Sequence, residues 1–313
     1  MYTVITGGFG HIGSWTARGL IEQGGTVLIL DTRTSIPDCL RSLQYGFVHI
    51  PCDITRFDEL AAVLHQYGDA VEGIIHTVGI MGEFVQESPH RNTEINVNGF
   101  LNALEAARIF GIRKVVYTST GAVYGSMQGI ASETGNHPQP ADLYSATKAS
   151  AEMIGLQYGS TFGLDVRIAR VYFIYGPGKL PSQFIKLYRT TFGVLEGLPD
   201  LHMEHGFDQK LDFTNVQDAA RGICLLYSAE QPDHRVYNIA TGKAASVGEV
   251  SRLAAEIAGQ TPPEIGPGTL MPRCEALSID LACKELGYEP RIELKAGLAE
   301  YYEWIKTGAG TAN

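Results

Sequence analysis

Tyr144 and Lys148 are the residues whose types and spacing point most directly to acid–base chemistry. They lie four residues apart in a segment predicted to be helical, so both side chains project from one face of that helix. An ammonium group near a phenol stabilises the phenolate and lowers a pKa that starts near ~10 toward the range in which tyrosine acts as a general base. The pair therefore predicts proton transfer to or from a hydroxyl group.

A second hydroxyl side chain precedes this helix, at the end of a predicted strand. The apolar segment Lys114–Ser119 leads to Thr120, and ligands of open α/β sheets bind outside the carboxyl ends of the strands. A hydroxyl group there is able to hydrogen-bond the reacting oxygen and hold it beside the phenol of Tyr144. The alternative is that Thr120 is an ordinary turn residue.

A glycine-rich turn near the N-terminus predicts a dinucleotide site. The strand Tyr2–Ile5 runs directly into this turn, which then opens a helix. Its three spaced glycines permit a tight turn, close approach of the backbone to a pyrophosphate, and close packing of helix on strand. Free N–H groups and the helix dipole favour an anion there, although a turn without a ligand is the alternative. The residues predicted to form this cradle are Gly7, Phe9, Gly10, His11, Ile12 and Gly13.

The second predicted strand ends in an acid. Asp31 follows Val27–Leu30 at about the ~20-residue offset at which a carboxylate accepts hydrogen bonds from the adenosine ribose. Because a carboxylate repels a 2′-phosphate, the sequence predicts NAD as the cofactor, and Arg33 leaves NADP as the alternative. A purely structural alternative is that Asp31 caps the next turn.

The elements that must position these residues predict an α/β fold, a Rossmann-type doubly wound parallel sheet with a smaller α/β C-terminal substrate lobe. Apolar, β-branched runs alternate with amphipathic stretches, which is typical of parallel strands covered on both faces. The predicted strands are Tyr2–Ile5, Thr26–Leu30, Phe47–Ile50, Gly73–Thr77, Lys114–Ser119, Val166–Val171 and Val236–Ala240. The predicted helices are Ile12–Gln23, Phe57–Tyr67, Glu94–Phe110, Leu143–Phe162 and Ser246–Ala258.

Glycine and proline become frequent from Gly176 onward, and the alternating pattern weakens. We therefore expect an NAD-binding domain over residues 1–175, with residues 207–240 returning to it. The substrate-binding lobe is expected over residues 176–206 and 241–313.

Composition narrows the classes of protein and partner. The 313 residues are 44% hydrophobic and 19% charged, as in a folded globular chain. The formal net charge of -10 argues against affinity for nucleic acid. Five scattered cysteines and the lack of any stretch of ~20 apolar residues predict a cytoplasmic protein without a membrane partner. We expect no bound metal; the alternative ligands His202, Glu204 and His205 lie in a stretch expected to be a solvated loop.

Together these segments resemble the extended short-chain dehydrogenase/reductase family, also called the NAD-dependent epimerase/dehydratase family, over nearly the whole chain. Its T-G-x-x-G-x-x-G turn appears as Thr6–Gly13, and its Y-x-x-x-K pair as Tyr144 and Lys148. Further matches are its D-[IVL] pair as Asp53-Ile54, its S-[ST]-x-x-V-Y-G segment as Ser119–Gly125, its Y-G-P turn as Tyr175–Pro177 and its late strand as Val236–Ile239.

The resemblance implies roles for these and other residues. It makes Tyr144 the proton-transfer residue, Lys148 the residue that holds the nicotinamide ribose and lowers the tyrosine pKa, and Thr120 the residue that binds the substrate hydroxyl. The cofactor contacts that it implies beyond the glycine turn are Asp31, Asp53, Ile54, His76, Thr77, Ser119, Tyr144 and Lys148. It places Asn96 near the substrate; structural alternatives are a buried histidine at His76 and a helix-terminal polar residue at Asn96.

The substrate-side motifs depart from the family pattern. Phe173 stands where members acting on nucleotide-diphosphate sugars usually have asparagine, and Leu211 replaces an arginine that would meet the diphosphate. Arg273 lies near a second expected phosphate arginine, but an acid follows it in Cys274-Glu275-Ala276. The predicted substrate contacts are Thr120, Tyr144, Phe173, Asn96 and Arg273. The alternative is that this lobe binds a nucleotide sugar through Lys179, Lys186 or Arg189.

The leading hypothesis is an NAD-dependent dehydrogenase that oxidises a secondary alcohol of a small sugar, polyol or sugar acid. The alternative is a sugar-nucleotide 4-epimerase that retains NAD, and a more distant one is a regulator that binds NAD without catalysis. Dehydration is not expected, because Gly121-Ala122 stands where 4,6-dehydratases carry Asp-Glu. The resemblance also implies a homodimer through helices near residues 94–110 and 143–162.

Overall fold

A seven-stranded parallel sheet forms the centre of the protein in the computed structural model, which describes residues 1–81, 85 and 87–308. We number its strands β1 to β7 in chain order, and they lie side by side in the order β7-β6-β5-β4-β1-β2-β3. The strands are Tyr2–Thr6, Thr26–Asp31, Phe47–Pro51, Val71–His76, Lys114–Thr120, Asp165–Val171 and Val236–Ile239. The predicted doubly wound α/β fold is confirmed.

Nine α-helices of seven or more residues, numbered α1 to α9, connect or follow these strands in the described part of the chain. They are His11–Glu22, Phe57–Tyr67, Gly99–Ile109, Leu143–Phe162, Lys186–Phe192, Val216–Ser228, Val247–Ala258, Asp280–Leu286 and Leu294–Lys306. One face of the sheet shares an apolar core with α1, α6 and α8. The other face packs on α2, α3 and α4.

The long strands are apolar throughout because both of their faces are covered. In β5, every residue after Lys114 is buried, and valine and tyrosine side chains reach the two cores on opposite faces. Because both faces of the sheet are covered, these strands are apolar at successive positions, whereas a strand with one exposed face alternates apolar and polar residues. This is why the strands were predictable to within about two residues.

The predicted helix over residues 94–110 is interrupted. A short helix, Pro89–Thr93, is followed by a π-helical turn, Glu94–Asn98, and only then by α3. Such turns often occur at functional sites, and this one carries Asn96, whose side chain is fully buried.

A separate apolar core joins α5, α7 and α9 with Leu211 and Phe213. This packing supports a second lobe, whose exact bounds remain a prediction. One segment assigned to that lobe lies elsewhere, because Ala282 and Leu286 of α8 pack in a core of the central sheet. No helix among the described residues is both long enough and apolar enough to cross a membrane.

Helix α6 was not predicted, and its glycine explains part of the difficulty. Gly222 interrupts an otherwise helical pattern and lowers intrinsic helix propensity. In the structure a Cβ at this position would overlap the side chain of Ile239, so the glycine lets α6 lie directly on β7. Tertiary packing therefore outweighs local propensity here.

The glycine turn between β1 and α1 is built by close backbone packing. Gly7 has a φ of +73°, which favours glycine. A Cβ on Gly13 would overlap the carbonyl oxygen of Gly7 and lie 2.7 Å from Oγ1 of Thr77. The start of α1 therefore lies against the end of β1 only because position 13 has no side chain.

We predict that Gly13→Ala lowers the free energy of unfolding by about 2 kcal/mol, because the added methyl group forces α1 away from β1. Urea denaturation monitored by circular dichroism measures the change. Gln23→Ala, at the exposed end of the same helix, is the control and should have little effect. Equal stability of Gly13→Ala and wild type would contradict the packing argument.

Candidate active site

The carboxylate of Asp31 organises the predicted cofactor cradle. Its Oδ2 accepts a hydrogen bond from the backbone N–H of Phe9 at 3.0 Å, and its Oδ1 accepts one from the N–H of Arg33 at 2.9 Å. A carboxylate has about four acceptor positions, so lone pairs remain for the two hydroxyls of a ribose. Asp31 therefore stabilises the turn, as its structural alternative predicts. Its carboxylate oxygens still have unoccupied acceptor positions for the hydroxyls of a ribose.

The glycine turn fits a dinucleotide. The N–H of Gly10 donates to the carbonyl of Gly7 at 2.9 Å, and a methyl group at Gly13 has no space. This leaves a narrow backbone cradle at the N-terminus of α1, with Ile12 in its first turn. Such a cradle matches the size and charge of a pyrophosphate.

His76 and Thr77 form the support beneath this turn. The Thr77 hydroxyl donates to the carbonyl of Thr6 at 2.8 Å, so it ties β4 to the turn. Nδ1 of His76 lies 2.9 Å from Oγ1 of Thr6, and its Nε2 has no hydrogen-bond partner among the described residues. Burial, with the charge of Lys148, lowers the pKa of His76 to about 3, so the ring is neutral. The geometry favours the buried-histidine alternative.

Asp53 and Ile54 lie just beyond β3. Oδ1 of Asp53 accepts hydrogen bonds from the backbone N–H and the hydroxyl of Thr55, at 2.9 and 2.8 Å. The side chain of Ile54 is buried, and a Cβ on Gly99 would lie 3.0 Å from it. Their loop therefore leaves the same edge of the sheet as the glycine turn, and their contact with the cofactor stays a prediction.

Tyr144 and Thr120 are brought together by a helix cap. Asp142 caps α4, and its Oδ1 accepts from the N–H of Ser145 at 2.8 Å, which starts the helix next to the end of β5. Burial raises the pKa of Tyr144 to about 12, while a hydrogen bond with Thr120 acts in the opposite direction. Thr120 is itself buried, and its Oγ1 also accepts from the N–H of Ala122 at 3.2 Å.

Lys148 lies deeper in the same site. Its Nζ donates to the carbonyl of Thr118 at 2.7 Å and lies 4.4 Å from the centre of the Tyr117 ring. Burial lowers the Lys148 pKa to about 7, and the charge of Glu152 partly offsets this effect. The sequence predicts that Lys148 lowers the pKa of Tyr144, but in the protein without cofactor the burial of the phenol outweighs this effect and raises the pKa.

Ser119 belongs to a buried polar network that was not predicted. Its hydroxyl donates to Glu152, whose carboxylate also pairs with Arg170 at 2.6 Å. The guanidinium of Arg170 lies 4.7 Å from the centre of the Tyr124 ring, and the Tyr124 hydroxyl donates to Asn238 at 2.9 Å. The missed signal was Glu152, a carboxylate one helical turn after Lys148 on the face that turns inward.

Asn96 acts on the loop after β4. Its Oδ1 accepts from the N–H of Ile80 at 2.9 Å, and its Nδ2 donates to the carbonyl of Ile80 at 3.0 Å. The same Nδ2 lies 3.2 Å from Oγ1 of Thr147 on α4. These contacts favour a positioning role over the predicted substrate contact.

Phe173 belongs to an aromatic wall beside Tyr144. It adopts a φ of +35°, and its ring stacks on that of Tyr188 with centroids 5.9 Å apart. Tyr188 also stacks on Phe184, with ring centroids 4.7 Å apart. Burial and then the nearby Tyr144 raise the pKa of Tyr188. The sequence signal was present, since residues 184, 188 and 192 are aromatic at helical spacing.

Arg273 borders a cavity of about 470 Å³ that also contacts Met127, Lys210, Met271 and Glu275. The guanidinium of Arg273 pairs with Asp142, the cap of α4. Nζ of Lys210 lies 3.7 Å from a carboxylate oxygen of Glu275. Each of these two cations therefore already has a carboxylate partner.

Leu211 and Gly121 limit what this side of the site can hold. Leu211 is 0% exposed and packs in the second-lobe core, so it presents nothing to a ligand. A Cβ on Gly121 would lie 2.6 Å from the ring of Tyr172 and 2.8 Å from Leu277. No side chain fits at Gly121, the first of the two positions, Gly121-Ala122, at which 4,6-dehydratases carry Asp-Glu.

The glycine turn leaves β1, and Thr120 ends β5, at the same edge of the parallel sheet. An edge that carries both a dinucleotide cradle and an acid–base pair defines a Rossmann-type oxidoreductase. The model of the NAD dependent epimerase/dehydratase family matches residues 3–240, and the chain belongs to that family. It is therefore an enzyme, and NAD as cofactor is confirmed.

Relatives of known activity align along almost the whole chain. The UDP-glucuronate 4-epimerase of Thermodesulfobacterium geofontis is 27% identical over 97% of this chain and 96% of its own length. A dTDP-glucose 4,6-dehydratase of Streptomyces antibioticus is 31% identical over 98% of this chain and 92% of its own length.

Solved structures of two 4-epimerases superpose on almost the whole chain. The UDP-glucose 4-epimerase of Thermotoga maritima, in complex with UDP-glucose, superposes with a TM-score of 0.87 at 26% identity, covering 98% of this chain and 99% of that one. The UDP-glucose 4-epimerase of Thermus thermophilus, in complex with NAD, gives a TM-score of 0.85 at 27% identity with the same coverage.

We predict that Glu152→Gln lowers the free energy of unfolding by about 3 kcal/mol, because it leaves the buried charge of Arg170 without its partner. Chemical denaturation measures this loss. Glu105→Gln is the matched control, because Glu105 also pairs with an arginine, Arg108, but at the surface. Loss of this exposed ion pair should change the free energy of unfolding little. Equal effects of the two substitutions would contradict the role of burial.

Proposed function

We propose that this enzyme takes a hydride from a secondary alcohol carbon of a sugar and then restores the alcohol with inverted configuration, as a sugar 4-epimerase does. The observation that carries the proposal is the convergence of three side chains: Tyr144 in the first turn of α4, Thr120 at the end of β5, and the buried Lys148, whose Nζ donates to the Thr118 carbonyl of the same strand. This arrangement supports proton transfer at one hydroxyl group. NAD, when bound, supplies the hydride acceptor.

Each of the three side chains has a separate task in this proposal. The Thr120 hydroxyl binds the reacting oxygen and Tyr144 accepts its proton as the carbon is oxidised. Since burial raises the Tyr144 pKa to about 12, the phenol is neutral before reaction, and a nearby positive charge is needed to favour the phenolate. Lys148 supplies this positive charge in its protonated form, and it is suited to hold a ribose hydroxyl because, among the described residues, Nζ donates only one of its hydrogen bonds, to the backbone carbonyl of Thr118.

The relatives favour epimerisation over the net dehydrogenation that the sequence argument ranked first. UDP-sugar 4-epimerases are among both the aligned relatives and the superposed structures. The closed space at Gly121 argues against the dehydratase branch. In an epimerase the oxidised carbon is reduced again in the same site, so no net oxidation is observed.

Net dehydrogenation of a small sugar or sugar acid is the second candidate, and the substrate side favours it. Leu211 offers no phosphate contact, and Phe173 offers an aromatic ring where an amide is usual. Arg273 and Lys210 are already paired with carboxylates. A substrate without a diphosphate would not have to displace these partners.

We also propose a homodimer through helices near residues 94–110 and 143–162. Ile109, Met153 and Phe162 on these helices are at least half exposed, although they are large and apolar. Such side chains are typical of surfaces that a partner covers.

We further propose that the chain has two lobes. Residues 1–175 and 207–240 hold NAD, and the remaining residues hold the sugar.

We predict that Tyr144→Phe lowers turnover at least about a hundredfold, because the ring remains but the proton acceptor is lost. The dissociation constant of NAD, measured by calorimetry, should stay within about twofold. Tyr158→Phe on the same helix is the control and should keep full activity. Full activity of Tyr144→Phe would exclude Tyr144 as the proton acceptor and overturn the proposed chemistry.

A substrate screen separates the two candidate reactions. We expect purified enzyme to interconvert a UDP-sugar and its C4 epimer with no net rise in NADH absorbance at 340 nm. Chromatography of the nucleotide sugars detects the product. Accumulation of NADH with an unactivated polyol, sugar or sugar acid, without UDP-sugar conversion, would instead establish the dehydrogenase.

A further inference from the structure

The loop that follows β6 lies against the start of α1. Nε2 of His11 lies 3.2 Å from the carbonyl oxygen of Gly176 and 3.1 Å from that of Pro177. The indole N–H of Trp15 also donates to the Pro177 carbonyl, at 2.8 Å. Two side chains of α1 therefore hold this loop, and the residue at position 179 emerges beside the glycine turn.

Lys179 is a cation in an apolar setting at this point. Its Nζ lies 4.1 Å from the centre of the Phe184 ring, and its backbone carbonyl accepts a hydrogen bond from the Tyr301 hydroxyl. Among the residues that the structure describes, no carboxylate forms an ion pair with Lys179. The charged and titratable groups that interact with it are Arg33 and His11, which are also basic.

Three positive elements thus meet at one place: Lys179, Arg33 and the N-terminus of α1. Burying the Lys179 cation without a counter-charge is unfavourable, and the exposed Arg33 and the dipole of α1 add to the positive potential. Asp31 offsets part of this charge through its bond to the backbone of Arg33. The remaining positive charge favours the binding of a dianionic group at the glycine turn.

We propose that Lys179, carried by the loop after β6, binds the pyrophosphate of NAD from the side opposite the glycine turn. The inference depends on NAD binding and not on the identity of the sugar. It also separates three cations that the sequence left equivalent, because Lys186 and Arg189 are exposed on α5 whereas Lys179 is half-buried. The lysine expected to meet a substrate diphosphate thereby belongs to the cofactor.

The titration of Lys179 provides a signature for this contact. Burial and the neighbouring Arg33 lower its pKa to about 8. An anion beside the amine favours the charged form and raises that pKa. Because only the ammonium form attracts the pyrophosphate, NAD affinity should decrease as the pH rises above about 8. His11, already neutral at these pH values, does not contribute. Lys148, with a pKa of about 7, also titrates, so the contribution of Lys179 is the difference between the wild type and a variant without this amine.

The test is calorimetric titration of the full-length protein, freed of cofactor, with NAD, ADP and adenosine, and in separate titrations with UDP and NADP. We expect Lys179→Met to weaken NAD and ADP about tenfold, the loss of one charge-assisted hydrogen bond, and to leave adenosine unchanged. Lys186→Met, on the same lobe, is the matched control and should bind all three ligands normally. Lys179→Arg should retain affinity within about threefold, and the decline in NAD affinity above pH 8 should be smaller in Lys179→Met than in the wild type.

Several outcomes would overturn the assignment. Unchanged NAD and ADP binding in Lys179→Met would do so, as would an equal loss for adenosine, which has no phosphate. Weaker binding of UDP with normal ADP would assign the lysine to the substrate, and a loss confined to NADP would assign it to a 2′-phosphate. If Lys179→Met does not fold, a flat pH dependence of NAD affinity in the wild type, or a large loss in Lys179→Arg, would reject the proposal.

Discussion

All seven strands of the central sheet run in one direction, and this constraint determines where chemistry occurs in the protein. Segments that leave the carboxyl ends of parallel strands must emerge at one edge. The glycine turn after β1, Asp31 at the end of β2 and Thr120 at the end of β5 are therefore neighbours despite their separation in the chain. The helices on both faces exclude water from the strands and leave this edge as the place where polar groups are accessible.

The same edge is held together by buried charge. Lys148, Glu152 and Arg170 are each at least 95% buried, and burial of an unpaired ion is costly. The cost is offset because Glu152 pairs with Arg170 and accepts from Ser119, while Lys148 donates to a backbone carbonyl. The network fixes α4 against β5 and β6, so the spacing of Tyr144 and Thr120 is determined by groups that do not react.

The sequence was sufficient for the features that depend on local pattern. Apolar runs predicted the strands, and spaced glycines predicted the turn, because backbone sterics at Gly7 and Gly13 act over a few residues. Features that depend on packing between distant segments were missed. The pKa of Tyr144 depends on burial, the contact of α8 with the sheet depends on tertiary structure, and the pairing of Arg273 with Asp142 joins residues far apart in sequence.

The closed space around Gly121 has a consequence for how this chain can evolve. A carboxylate at that position would collide with Tyr172 and Leu277, so the first acid of the Asp-Glu pair of 4,6-dehydratases is blocked by steric overlap. Both neighbours would have to become smaller first, and Tyr172 also donates to the carbonyl of Cys274. Such shrinking mutations would leave a cavity and reduce stability before any new activity appeared. An acid at position 121 would therefore require variants of lower stability as intermediates.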